Sequence, residues 1–171
     1  MPQFVEEEDL EPDAYWKFVD QLLAICSKLG QVWISLHPKM KVTDYEKTSK
    51  KYGAVILAER LNKALPIADL FIATNSSTVF WALLCGIKSV VTGFAHIDCS
   101  MFSEFSSIQV IKQKVELSPK ITEWSDKEVS FENDWNLMGR GDVFDDQVLL
   151  RYRELIMEFS GKTPDSRHHI D

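Results

Sequence analysis

Apolar residues recur at helical spacing early in the chain and then gather into short continuous runs. From residue 13 to residue 30 they follow a period of about 3.6 residues, which predicts a helix with Asp13 as its N-cap and Gly30 just past its end. Four apolar, β-branched runs follow, and each predicts a strand. They are QVWISL (31–36), AVIL (54–57), LFIA (70–73) and SVVT (89–92).

Helical patterns separate these strands, at 43–52, 59–68 and 77–85, and glycines follow the first and the last of them. Strands that alternate with helices predict a parallel sheet with helices on both faces, which is a Rossmann-like doubly wound α/β fold. A fifth strand is predicted at 108–111, an irregular segment with a short helix at 119–137, and a long amphipathic helix at 144–159.

This pattern divides the chain into three parts. Residues 1–12 form an acidic lead-in of the interdomain type, residues 13–160 a Rossmann-like nucleotide-binding domain, and residues 161–171 a polar tail. A length of 171 residues suits one such domain.

The composition excludes several classes of function. The net charge of −7 argues against nucleic acid as a partner, because phosphate backbones call for a basic face. The start of the chain is acidic rather than signal-like, and the most apolar run, 79–85, is far shorter than a membrane span. We therefore expect a soluble, cytoplasmic protein. Cys26, Cys85 and Cys99 lack zinc or redox spacing, and we expect Cys26 and Cys85 to be buried free thiols.

The dipeptide His37-Pro38 directly follows the first predicted strand. Ligands of open parallel sheets bind beyond the carboxyl ends of the strands, where a histidine can donate a hydrogen bond to phosphate or act in acid–base chemistry. Proline ends the strand and helps to fix the histidine ring. The alternative is an ordinary surface or capping histidine.

A second polar segment, Asn75-Ser76-Ser77-Thr78, joins the third strand to an apolar helix. Small hydroxyl side chains at a helix start let a phosphate approach the free N–H groups. The alternative is simple capping of the helix by Asn75 or Ser76.

Carboxylates supply weaker candidates. Glu59 follows the second strand, where it is placed either to accept from a ribose hydroxyl or to stabilise a helix start. The run at 6–9 is either a base or metal cluster or a solvated acidic loop, and His96 with Asp98 follows the fourth strand.

Together, SLHPKM (35–40) and AERLNKALPIADLFIATNSSTVFWALLCGIKSVV (58–91) resemble the C-terminal domain of GT-B-fold glycosyltransferases. The stretch is most similar to bacterial capsule and lipopolysaccharide enzymes, including sialyltransferases and polysialyltransferases with an HP motif and a later SS/ST motif. A more distant similarity is to UDP-N-acetylglucosamine 2-epimerases. However, residues 79–82 read VFWA where those epimerases carry ribose-binding carboxylates, so epimerase chemistry is not expected.

The resemblance implies a role for each matched residue. His37 of the His37-Pro38 pair would contact the phosphate of a CMP- or UDP-linked sugar and assist its departure as a hydrogen-bond donor. Ser76, Ser77 and Thr78, after Asn75, would bind the same phosphate, and Glu59 would approach the base or ribose. The nucleotide sugar is then a substrate, and neither a cofactor nor a metal is required.

The resemblance also implies partners. Such enzymes bind a glycan acceptor through a preceding domain, so we expect this chain to work with that domain or with a separate chain and to be inactive alone. Peripheral membrane association of the whole enzyme is compatible with this role. Two alternatives remain: a non-catalytic interaction domain that uses an exposed Trp124 and Trp135, and a complete small enzyme that uses His37 with Glu59 or Asp98.

Overall fold

The computed structural model describes residues 12–74, 76–93 and 98–138. The chain divides into two compact units, residues 1–134 and residues 135–171. Because the described ranges end at residue 138, the helix predicted at 144–159 lies outside them, and so do Asn75 and His96.

Short helices and strands alternate along the described residues. The strands are β1 (Trp33–Ile34), β2 (Val55–Ile56), β3 (Phe71–Ala73), β4 (Ser89–Thr92) and β5 (Ile108–Ile111). The α-helices are α1 (Pro12–Cys26), α2 (Val42–Tyr52), α3 (Leu61–Ala64), α4 (Thr78–Leu84), α5 (Leu117–Asp126) and α6 (Glu132–Leu137). Turns of 3₁₀-helix lie at Leu65–Ile67, Ser100–Phe102 and Lys114–Glu116.

All the strands pair in parallel, in two small sheets. Strand β1 pairs with β2, with Trp33 opposite Val55. Strand β4 lies between β3 and β5, with Ser89 opposite both Phe71 and Ile108. The protein is therefore of the α/β class with parallel strands, as the alternating pattern predicts.

The three-stranded sheet is packed on both faces. Successive side chains of a strand point to opposite faces, and Val90 and Val91 of β4 accordingly belong to different clusters. Val90 packs with residues of α1 and α5, whereas Val91 packs with Val79 of α4 and with Phe102. Burial on both sides explains why the two successive central residues of β4 are both apolar.

Helix α1 packs against both sheets with two rows of side chains. Tyr15, Val19 and Leu23 contact the cluster around Ile34 of β1. Phe18, Leu22 and Ile25 form a neighbouring row on the same helix. They join the cluster of β4 and β5. This helix thus packs against both sheets, through two separate clusters of buried side chains.

The outward face of the two-stranded sheet differs from the prediction of helices on both faces. Trp33 is 39% exposed and its register partner Val55 is 48% exposed. The opposite face carries Ile34 and packs against α1 and α2. In the described part of the chain these two strands are therefore covered on one side only.

Several predicted boundaries are wrong. Helix α1 begins at Pro12, so Asp13 lies in its first turn, and it ends at Cys26, before Gly30. The predicted helix 59–68 is a single α-turn, α3, followed by 3₁₀-helix. Pro66 explains the change, because it lacks the N–H group that an α-helix would use at that position.

The segment 119–137 is more ordered than predicted, since it contains most of α5 and all of α6. Trp124 of α5 is only 4% exposed and packs in the cluster of β4 and β5. The idea of an exposed Trp124 as a protein contact is therefore wrong. None of the helices in the described ranges has the length and apolar character needed to cross a membrane.

Candidate functional site

His37 begins a tight turn that starts three residues after the end of β1. The N–H group of Met40 donates to the carbonyl oxygen of His37 at 2.8 Å, which closes a four-residue turn. Pro38 occupies the second position of this turn, where its fixed φ angle is favourable, and its side chain is exposed.

A backbone contact within the same turn orients the imidazole ring. The N–H group of Lys39 donates to Nδ1 of His37 at 3.3 Å. Because Nδ1 is then an acceptor, the neutral ring carries its proton on Nε2. The half-buried His37 therefore offers Nε2–H as a hydrogen-bond donor, which is the chemistry that a phosphate oxygen requires.

The Ser76–Thr78 segment begins three residues after the end of β3 and leads into α4. The N–H group of Thr78 donates to Oγ of Ser76 at 3.3 Å, and the hydroxyl groups of the two residues lie 2.8 Å apart. Ser76 thus holds the turn that leads into α4. The N-cap position of α4 is Ser77 rather than the predicted Asn75 or Ser76, and its side chain forms no capping hydrogen bond.

Ser77 differs from its two neighbours. Its side chain is exposed, and its hydroxyl group has no hydrogen bond within the described structure. The carbonyl oxygen of Ser77 accepts from the N–H of Phe80 at 3.1 Å, so the backbone is held while the hydroxyl stays available. Among Ser76, Ser77 and Thr78, Ser77 is the residue whose hydroxyl group forms no hydrogen bond with the described part of the chain.

Glu59 lies on the surface before α3, where its carboxylate pairs with Lys63 at 3.4 Å. Both side chains are about two-thirds exposed, at 64% for Glu59 and 68% for Lys63. This arrangement matches the alternative of a charged residue at a helix start. Within the described residues, no hydrogen bond connects Glu59 with the His37 turn or the Ser76 segment.

Asp98 forms a hydrogen bond within its own loop. Its carboxylate accepts from the N–H group of Ser100 at 2.9 Å, at the start of a 3₁₀ turn. This hydrogen bond lowers the pKa of Asp98. The structure therefore shows a capping carboxylate that is held in the charged form, rather than a general base with a raised pKa.

The burial of the cysteines differs from the prediction that Cys26 and Cys85 are buried. Cys85 is exposed at the end of α4, Cys26 is partly buried and Cys99 is buried. Burial raises the pKa of the Cys26 thiol to about 11, so this group stays protonated near neutral pH. Across the described ranges, no three His, Cys, Asp or Glu side chains gather as a metal site would need.

Two buried polar groups were missed because nothing in the local sequence marks them. Asp134 stands in a mixed, charged stretch, yet its carboxylate is buried against Ser106 and Ser107. Tyr45 stands in a helix with a mostly polar sequence, yet its hydroxyl group lies 2.5 Å from that of Tyr15. Both are long-range contacts that hydropathy patterns do not predict.

Comparison of the chain with protein-family models, with curated protein sequences and with solved structures gives no match.

Proposed function

We propose that this chain is the donor-binding domain of a glycosyltransferase of the GT-B type, which holds the phosphate of a CMP- or UDP-linked sugar. One observation carries the proposal. The His37 turn and the Ser76–Thr78 segment each begin three residues beyond the end of a parallel strand, β1 and β3 respectively. Ligands of open α/β sheets bind at such strand ends.

The proposal includes a finer description of the fold. We propose that the two sheets are parts of one doubly wound, Rossmann-like layer, in which the carboxyl ends of β1 and β3 share an edge. The packing of α1 against both sheets supports this arrangement. The two turns would then face one ligand from neighbouring strands.

In the proposed chemistry, the acceptor hydroxyl oxygen attacks the anomeric carbon and the bond to the nucleotide phosphate breaks. The Nε2–H group of His37 and the hydroxyl group of Ser77 donate to the phosphate oxygens as negative charge grows on them. Donors fixed in advance stabilise such charge more effectively than mobile water does. No residue of this chain is assigned as the base, which the acceptor-binding domain or a partner chain would supply.

The biological setting follows from the same proposal. The whole enzyme would act on a surface polysaccharide or another glycan, in a sialyltransferase-like reaction at the cytoplasmic side, with peripheral association at the membrane. Within this chain, the nucleotide sugar would be the substrate.

One observation favours a second candidate, a non-catalytic interaction domain. Large apolar side chains are exposed at two places, Trp33 beside Val55 on the two-stranded sheet and Trp81 on α4, which is 53% exposed. Exposed apolar groups of this size are common at protein contacts. On this alternative the polar turns would only end strands and cap helices.

Calorimetric titration separates the two candidates. The purified chain is titrated with CMP, with UDP and with inorganic phosphate. Saturable binding of one nucleotide, tighter than that of phosphate, supports the donor-binding domain and identifies the base. Absence of binding up to millimolar concentration favours the interaction domain.

A further inference from the structure

We propose that Tyr45 is a positioning residue, whose hydroxyl group holds the His37 turn in the conformation that binds phosphate. The inference deepens the proposed function and rests on it, because it assigns a task to a residue behind the same site. Tyr45 itself lies in α2 and is buried.

The connection runs through the last residue of the turn. The hydroxyl group of Tyr45 donates to Sδ of Met40 at 3.6 Å. The N–H group of Met40 in turn donates to the carbonyl oxygen of His37. The His37 end of the turn follows β1 along the chain. The Met40 end is held by the hydrogen bond from the buried Tyr45.

Tyr15 completes the chain of contacts. Tyr45 has a single hydroxyl proton, and when that proton goes to Met40, the Tyr45 oxygen accepts from the hydroxyl group of Tyr15 at 2.5 Å. Both phenols remain neutral near neutral pH, since burial raises the pKa of each of them. The order of donors therefore runs from α1 through α2 to the turn.

Aromatic packing fixes the two phenols. The ring of Trp16 lies 5.2 Å from the ring of Tyr15 and 5.0 Å from that of Tyr45, measured between centroids. Met40 packs against the same cluster. Rings held in this way have few alternative rotamers, so the Tyr45 hydroxyl occupies one defined position next to the Met40 sulfur.

A purely structural role is the competing explanation, in which the two hydroxyl groups only satisfy each other in the core. That role predicts a loss of stability and nothing else. A positioning role predicts in addition a change at His37, although the hydroxyl group of Tyr45 bonds to Met40 and Tyr15.

The Tyr45→Phe variant distinguishes the two roles, because it removes the hydroxyl group and keeps the ring. We expect altered ¹⁵N resonances of the His37 imidazole and faster hydrogen exchange of the Lys39 amide. We also expect roughly tenfold weaker binding of the nucleotide that the wild type binds, the size of one lost orienting hydrogen bond.

Tyr52→Phe is the matched control. Tyr52 lies in the same helix and packs against the same cluster, but its hydroxyl group interacts with Asp20 and Lys51. This variant should leave the His37 resonances and the nucleotide affinity at wild-type values, so an equal change in both variants would overturn the positioning role.

A second variant keeps the inference testable if Tyr45→Phe does not fold. Met40→Leu keeps the size of the side chain and removes the acceptor of Tyr45, so it should change the His37 resonances in the same direction. Unchanged His37 resonances in folded Met40→Leu or Tyr45→Phe would overturn the inference.

The proposed function fails in a different way. If the wild type binds no nucleotide, the donor-binding proposal falls, and the phosphate-binding part of this inference falls with it. If the wild type binds a nucleotide and Tyr45→Phe binds it equally well, only the positioning role is overturned.

Discussion

The carboxylate of Asp134 accepts hydrogen bonds from both the backbone N–H and the hydroxyl group of Ser107, 27 residues earlier in the chain. Its other oxygen accepts from the N–H and the hydroxyl group of Ser106, at 2.8 and 3.0 Å. Asp134 is only 1% exposed. A buried charge is thus compensated by four donors, all from the turn that precedes β5.

We predict that Asp134→Asn lowers the free energy of unfolding by about 2–3 kcal/mol at neutral pH, because an amide cannot accept from all four donors. Burial alone would raise the pKa of Asp134, but the hydrogen bonds from Ser107 and Ser106 outweigh it and lower the pKa. A lowered pKa in the folded state means that the stabilisation is present above the ordinary carboxyl pKa and is lost as the pH falls.

Urea unfolding of the wild type and the variant over a range of pH tests this prediction. The difference between them should be constant above about pH 5 and shrink as the pH falls below about 4. Glu132→Gln, an exposed change in the same helix, should leave stability nearly unchanged. A difference that does not depend on pH would contradict the role of the charge.

Lys88 should contribute to stability through α5. Its ammonium group donates to the carbonyl oxygens of Ser125 and Lys127, at the carboxyl end of this helix. A cation at that end also interacts favourably with the helix dipole. We predict that Lys88→Met lowers the free energy of unfolding by about 1–2 kcal/mol, measured by chemical denaturation.

Lys63→Met is the control for Lys88, since Lys63 of α3 forms an exposed pair with Glu59, which precedes that helix. Exposed pairs of this kind contribute under about 0.5 kcal/mol. Equal losses in the two variants would show that the contacts of Lys88 with α5 add nothing specific.

Two glycines form a matched pair for backbone conformation. Gly53 follows α2 with a φ angle of 64°, in the left-handed region, and Gly30 has no such angle. An added Cβ would meet no atom within 4 Å at either position. Thermal unfolding should therefore show that Gly53→Ala costs about 1 kcal/mol, because only its φ angle is unfavourable for alanine. Gly30→Ala should be neutral or slightly stabilising, and equal effects would contradict this explanation.

Neighbouring serines before α4 should have separable roles. Ser76→Ala removes the acceptor of the Thr78 N–H and should cost about 1 kcal/mol of stability. Ser77→Ala removes a hydroxyl group without a partner in the described structure, so its unfolding midpoint should match that of the wild type. Weaker nucleotide binding by stable Ser77→Ala would support a ligand role, and unchanged binding would contradict it.

The strands were predictable because a strand that is buried in the core has apolar residues at consecutive or alternating positions of the sequence. Strand β4 is covered on both faces, and its central residues Val90 and Val91 are apolar and fully buried. All five predicted strands occur near their expected positions. Trp33 shows the limit of this reasoning. The same apolar run that correctly predicted β1 gave no sign that one of its faces is exposed, because coverage depends on which helices pack there.

Polar positions were less predictable for a related reason. The sequence placed His37 and Ser77 after strands, which only requires the order of elements. It did not reveal that Lys39 fixes the imidazole tautomer or that Tyr45 reaches Met40, since these contacts depend on side-chain geometry. The charged residues around Trp124 in the sequence predict an exposed side chain, and they do not indicate that α5 turns this residue toward the core.

The most direct test of the donor-binding proposal is an NMR titration with CMP and UDP that follows the backbone amides of Lys39 and Thr78. If one phosphate lies between the His37 turn and the start of α4, both amides shift with the same dissociation constant. In His37→Ala, both shifts should weaken together while the protein stays folded. Amides that do not respond at millimolar nucleotide, or that respond with different dissociation constants, would contradict a single donor site.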